Sequence, residues 1–203
     1  KRMPVGIPNV SVAGIIALTS GLTTSIPSCA DVVWIMLAEL VRRVCMLKVL
    51  WISLVVIVAD QATKWIANTQ LEYHQAVKVF PYFEWFLSYN KGAAFSFLAD
   101  AGGWQRWFFM VLAIIISIVL FVWISRLKAD EKLTAISLAL ILGGAIGNVI
   151  DRVLLGHVID FIQVWLGSYP WPAFNIADSA ISVGAVILIL SGMKKPYEQP
   201  DKA

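Results

Sequence analysis

Four stretches of the chain, near residues 49–67, 104–124, 133–150 and 174–190, are apolar almost without interruption. A bilayer core takes roughly 20 such residues in a helix, and these stretches lack the wet polar face that a helix of a soluble domain keeps. The third and fourth are shorter and carry some polar residues, yet their Leu, Ile, Val, Ala and Gly content still suits a spanning helix. The pattern predicts an all-α membrane protein, a four-transmembrane-helix bundle with a small extracytoplasmic β-containing loop subdomain.

That subdomain is expected in the loop over residues 69–103, where the period changes. Val77 and Val79 flank Lys78, and Phe83, Trp85, Leu87 and Tyr89 alternate with Glu84, Phe86 and Ser88, the period of strands. Pro81 separates the two runs, so a small sheet with one aromatic face toward lipid or the bundle mouth is expected. Asn90-Lys91-Gly92 is a turn signal. The apolar run 93–98 is too short to span and reads as a re-entrant or interfacial piece.

Charge gives the orientation. Eleven of the 16 Lys and Arg fall before the first span, between the second and third, or after the fourth. Basic residues mark the cytoplasmic side, which places both termini there and residues 69–103 outside. Trp51, Trp65, Trp104, Trp107, Trp123 and Trp171 lie near span ends, where an amphipathic ring prefers to sit.

Composition excludes several classes. The chain is 59% apolar and only 14% charged, against about 45–50% and about 25% in ordinary domains. A net charge of +3 with dispersed basic residues leaves no broad cationic face for phosphates, so nucleic acid is not an expected partner. Cys29, Cys45, His74 and His157 are the only cysteines and histidines, and their spacing fits neither a disulfide framework nor a zinc site. Residues 1–45 superficially resemble a secretory signal, while Met46-Leu47-Lys48 is the natural opening of the bundle. They are read as an extension of unknown role, with an amphipathic surface helix over 32–44 as a second reading. Residues 46–195 form the membrane domain and 196–203 a cytoplasmic tail.

Polar residues inside apolar context narrow the chemistry, because a charge at the centre of a spanning helix costs about 2.5–3.5 kcal/mol on insertion scales and needs a partner or a role. Asp60 and Lys64 stand four apart, acid first, on one helix face. They fit a neutralised pair with Lys64 snorkelling outward or a functional one. Asn148, Asp151 and Arg152 share a face of the third span. The last two can be a helix-end pair, but Asn148 needs hydrogen-bond partners within the bundle. Gly143, Gly144 and Gly147 form a small-residue face for close helix approach. Asn175 and Asp178 open the fourth span, where capping suffices to explain the carboxylate, and Asp160 follows the third span, where a surface loop charge suffices. The bundle topology brings the outer ends of spans three and four together, so Asp160 and Asp178 can also converge. Two adjacent carboxyls share a proton, and one can then deprotonate water while the other protonates a leaving amine. His157 reads as structural, and no serine lies in a Gly-x-Ser-x-Gly elbow. A proton-coupled transporter with Asp60, Asp151 and Asp178 as relay is a competing class, disfavoured by four spans without an inverted repeat.

The blocks Asp60-Gln61-Ala62-Thr63-Lys64, Asn90 to Phe97, Gly143 to Arg152, Val158-Ile159-Asp160-Phe161 and Phe174 to Ser179 together resemble the bacterial lipoprotein signal peptidase (signal peptidase II) family, in order and from about Met46 to Met193. The resemblance implies an inner-membrane aspartic endopeptidase. Such an enzyme removes the signal peptide of prolipoproteins just before a cysteine that carries diacylglycerol. It implies Asp160 and Asp178 as catalytic dyad, with Asp60, Lys64, Asn90, Gly92, Asn148, Arg152 and Asn175 lining the site and holding substrate or dyad. It implies no metal or organic cofactor. Its partners would be diacylglyceryl-modified prolipoproteins and membrane lipids, and the chain itself would be a monomer.

Overall fold

The computed structural model describes residues 32–34, 36–37, 40, 47–92, 104–128 and 130–193. The readings of an extension over 1–45, a re-entrant segment over 93–98 and a tail over 196–203 lie wholly or mostly outside these residues. The described positions between 32 and 40 are helical and exposed.

Among the described residues, four helices are long and apolar enough to cross a membrane: α1 (Leu50–Gln70), α2 (Trp104–Arg126), α3 (Lys132–Leu154) and α4 (Ile176–Met193). Each begins and ends within four residues of the expected span. The central helix is α3, which packs against the other three, and its glycines make this possible. A Cβ on Gly143 would stand 2.9 Å from the Ser53 backbone of α1, one on Gly144 would collide with the Ala177 carbonyl of α4, and one on Gly147 would stand 2.6 Å from the Asp60 carboxylate. At one end of the bundle Leu120, Ile124, Leu127, Leu138 and Leu142 form a buried apolar cluster. The opposite end carries nearly all the buried charge.

At that charged end lies a four-stranded antiparallel sheet of order β1-β2-β3-β4, built from β1 (Ala76–Phe80), β2 (Phe83–Asn90), β3 (Val158–Leu166) and β4 (Tyr169–Pro170). The expected hairpin around Pro81 is present, closed by Tyr82 at a φ of 72°. The all-α label needs correcting, because the sheet is larger than the first loop and recruits the segment after α3. The nine residues Val158–Leu166 are too few to span a bilayer, rich in β-branched and aromatic side chains, and bounded by glycines, so they add to the free edge of β2. The turn into β3 depends on Gly156. Its φ of 84° puts it in the left-handed conformation that ends a helix, and the Leu155 and Gly156 N–H groups both donate to the Asp151 carbonyl. Leu87 of β2 and Ile159 and Phe161 of β3 pack on Ala67 of α1, fixing the sheet to the bundle.

Candidate active site

Asp160 projects from β3, opposite Ser88 of β2. Asp178 sits in the first turn of α4. Asn175, fully buried between them, joins the two. Its Nδ2 donates to Asp160 Oδ1 at 2.7 Å, its Oδ1 accepts the Asp178 N–H at 3.0 Å, and Asp178 Oδ2 accepts the Asn175 N–H at 3.3 Å. The last two bonds form a reciprocal helix cap. Capping and convergence of the carboxyls are therefore one arrangement: the cap orients the Asn175 amide so that its remaining donor reaches Asp160. The neighbouring Phe174 exchanges backbone hydrogen bonds with Ile162, which sets the height of Asn175 against β3.

Each carboxyl has a further amide partner. Asn90 Nδ2 donates to Asp160 Oδ2 at 3.1 Å, while Asn90 Oδ1 accepts the N–H of buried Gly92 at 3.0 Å. Gly92 thereby fixes which end of the Asn90 amide faces Asp160. Asn148 Nδ2 donates to Asp178 Oδ1 at 2.8 Å, and Asn148 Oδ1 accepts from Lys64 Nζ at 2.9 Å. Arg152 Nη1 donates to the Asn148 carbonyl at 3.2 Å, and its charge reaches Asp178, Asp160 and Asp151.

Burial pushes the Asp160 carboxyl up to about 7. The adjacent Asp178 charge adds to the rise, while the Asn90 and Asn175 hydrogen bonds and the Lys64 charge oppose it. Asp160 is thus poised to hold a proton near neutrality, as a proton-sharing carboxyl pair requires.

All nine residues singled out in the sequence fall at this end of the bundle, at different depths. Asp160, Asp178, Asn175, Asn148 and Asn90 form one hydrogen-bonded cluster, with Gly92 and Arg152 attached to it. Asp60 and Lys64 lie behind, at 0% and 1% exposure, so the lysine does not snorkel outward. Lys64 Nζ instead stands 2.8 Å from Asp60 Oδ2 and 2.9 Å from Asp151 Oδ2, which gives Asp151 a partner on another helix. Sequence reasoning gave Asp151 as half of a helix-end pair or as a relay residue of the competing transporter class, although its i+3 spacing from Asn148 already placed it on the buried face. Gln61, whose Nε2 lies 2.9 Å from Asp151 Oδ1, was missed, and no spacing rule would have found it. His157 rests against the Tyr89 ring with centroids 4.4 Å apart.

Comparison with known proteins agrees with this geometry. Residues 52–194 match the family model of signal peptidase (SPase) II. The lipoprotein signal peptidase of Pseudomonas putida is 56% identical over 154 residues, 74% of this chain and 90% of that one. That of Ectopseudomonas mendocina is 54% identical over 156 residues, 76% of this chain and 92% of that one. A solved bacterial membrane enzyme superposes with a TM-score of 0.67 at 31% identity, over 77% of this chain and 93% of that one. The chain belongs to the signal peptidase II family and is an aspartic endopeptidase of the membrane.

Proposed function

We propose that this enzyme removes the signal peptide of prolipoproteins by cutting before a diacylglyceryl-modified cysteine, with Asp160 and Asp178 activating water. The observation that carries the reading is the shared contact with Asn175, which ties a strand carboxyl and a helix carboxyl to one amide. With one proton between them, the ionised carboxyl takes a proton as the water oxygen bonds to the scissile carbonyl carbon, while the protonated one gives its proton to the carbonyl oxygen, forming a diol. Collapse of the diol breaks the carbon–nitrogen bond as the carboxyl that took the water's proton passes it to the leaving amine and the other recovers a proton from a diol hydroxyl, restoring the pair. Asn90, Asn148 and Asn175 hold the carboxyls, and Arg152, whose charge reaches both of them, is available to steady negative charge on the reacting carbonyl oxygen.

The site lies at a span end, where a diacylglycerol anchored in the bilayer presents the residue attached to it near headgroup depth. In this reading the sheet end faces out of the cytoplasmic membrane, both termini are cytoplasmic, and residues 46–195 carry the activity. The test is incubation of the purified protein with a diacylglyceryl-modified prolipoprotein. Loss of the signal-peptide mass is expected, and no loss in a correctly folded preparation refutes the reading.

A further inference from the structure

Behind the two catalytic candidates, Lys64 joins two buried carboxylates, and each of these also holds backbone. Asp60 Oδ1 accepts the N–H of Ala177 at 2.9 Å, and Asp151 Oδ2 accepts the N–H of Ile159 at 3.1 Å. Ala177 immediately precedes Asp178, and Ile159 immediately precedes Asp160. One ammonium, with carboxylates at 2.8 and 2.9 Å, therefore links the two backbone segments that present the dyad. Gln61 adds a second crosspiece, because its Nε2 lies 3.2 Å from Asp60 Oδ2 and 2.9 Å from Asp151 Oδ1.

We propose that Asp60, Gln61, Lys64 and Asp151 form a brace that sets the spacing of Asp160 and Asp178, acting as positioning residues and not as substrate contacts. Burial alone does not separate the two roles, because Asp160 is 3% exposed beside 0%, 1% and 2% for Asp60, Lys64 and Asp151; the partners of the three side chains do. Their hydrogen bonds are directed at protein: both Asp60 oxygens, both Asp151 oxygens and the lysine ammonium have partners on α1, α3, α4 or β3. A purely electrostatic role would need charge alone. The backbone bonds to the residues just before each catalytic aspartate serve geometry, and an error of about 1 Å in such a site costs about 10²-fold in rate.

The proposal rests on the reading of Asp160 and Asp178 as the dyad. Its test uses the full chain in lipid, with Asp60→Asn and Asp151→Asn assayed on a diacylglyceryl-modified prolipoprotein across pH. Both should lower kcat about 10²-fold with KM unchanged. The groups around the dyad are Asp60 and Lys64 on α1 and Asp151 and Arg152 on α3. Loss of one charge alone would move both limbs of the kcat/KM profile the same way. A change of spacing alters the repulsion between Asp160 and Asp178, so the brace predicts that the gap between the limbs closes by about 1 pH unit.

Asp151→Leu should be worse than Asp151→Asn, since Asn keeps an oxygen for the Ile159 N–H. A raised KM at unchanged kcat would make these residues substrate contacts and overturn the proposal. So would limbs that move together, or a stability loss with full turnover per folded molecule. If the unaltered chain cleaves nothing, the function fails and the brace is read from amide exchange alone. Exchange at Ile159 should quicken in Asp151→Leu and at Ala177 in Asp60→Leu, more weakly in the Asn variants, and unchanged protection would overturn it.

Discussion

Replacing Asn175 by Leu keeps the branching of a fully buried side chain and removes two separable functions. The lost cap to the Asp178 N–H costs about 0.5–2 kcal/mol, and the lost donor to Asp160 Oδ1 at 2.7 Å costs about 1.5–3 kcal/mol if that carboxyl is ionised. Together the Leu variant should lose about 2–5 kcal/mol, read as a lower midpoint of thermal unfolding in detergent. Asn175→Ser separates the two functions. A serine hydroxyl caps a helix about as well as Asn does but is too short to bridge to Asp160, so the Ser variant should recover most of the cap contribution. Its single-turnover cleavage of prolipoprotein should nevertheless stay about 10²-fold below the unaltered enzyme, because Asp160 keeps the Asn90 amide but loses the one that aligns it with Asp178. Equal cleavage by Asn175→Ser and the unaltered enzyme would show that Asn175 is a cap and nothing more, and would remove the link between the two carboxyls from the mechanism.

Three further outcomes are expected. Between about pH 4 and about pH 7 the folded chain holds a proton on Asp160 that the unfolded chain releases, so this group's stabilising contribution is complete at low pH and is lost as pH rises to about 7. Asp160→Asn should therefore be more stable than the unaltered enzyme above pH 7, by up to about 4 kcal/mol, and match it near pH 4; the midpoints of unfolding scans at the two pH values check this. Gly147→Ala forces a methyl against the Asp60 carboxylate 2.6 Å away and should cost about 1–3 kcal/mol, with activity lost alongside, whereas Gly192→Ala, where a Cβ meets nothing within 4 Å, should be silent in both assays. A single cysteine at Lys78 should react with an impermeant reagent added to intact spheroplasts while one at Lys128 should not, and the reverse pattern would invert the topology.

The four spans were legible because a bilayer requires length and apolarity, and both are properties of local sequence. The hairpin was legible too, since Phe83 to Tyr89 keep the period of two and Pro81 marks the break. What stayed hidden was the addition of Val158–Leu166 to that hairpin: a nine-residue apolar run fits several structures, and only the free edge of β2 decides among them. The candidate site followed the same division. Asn148 stood out as an amide in a spanning helix, and Asn175 and Asp178 as residues at a helix start. Their mutual hydrogen bonds depend on the contact of α3 with α4, which the glycine face suggested without fixing its register. Lys64 was read in both senses, and the structure turned it inward because Asp151, 87 positions away in sequence, supplies the second negative charge. Gln61 left no signal, since an amide beside an aspartate is unremarkable until the opposite helix is in place.

Cleavage by the two single amide variants tests the central claim most directly. Asn matches Asp in shape and keeps a hydrogen-bonding oxygen, so Asp160→Asn and Asp178→Asn should insert in the membrane and bind a diacylglyceryl-modified prolipoprotein much as the unaltered enzyme does. Neither can both accept and donate the shared proton, and acid–base catalysis of this kind contributes about 10²–10⁴-fold. Each variant should therefore leave the signal peptide attached on the timescale in which the unaltered enzyme completes the reaction, and the double variant should be little worse than either one, because the groups act as a unit. Release of the signal peptide at a near-normal rate by either single variant would contradict the dyad assignment.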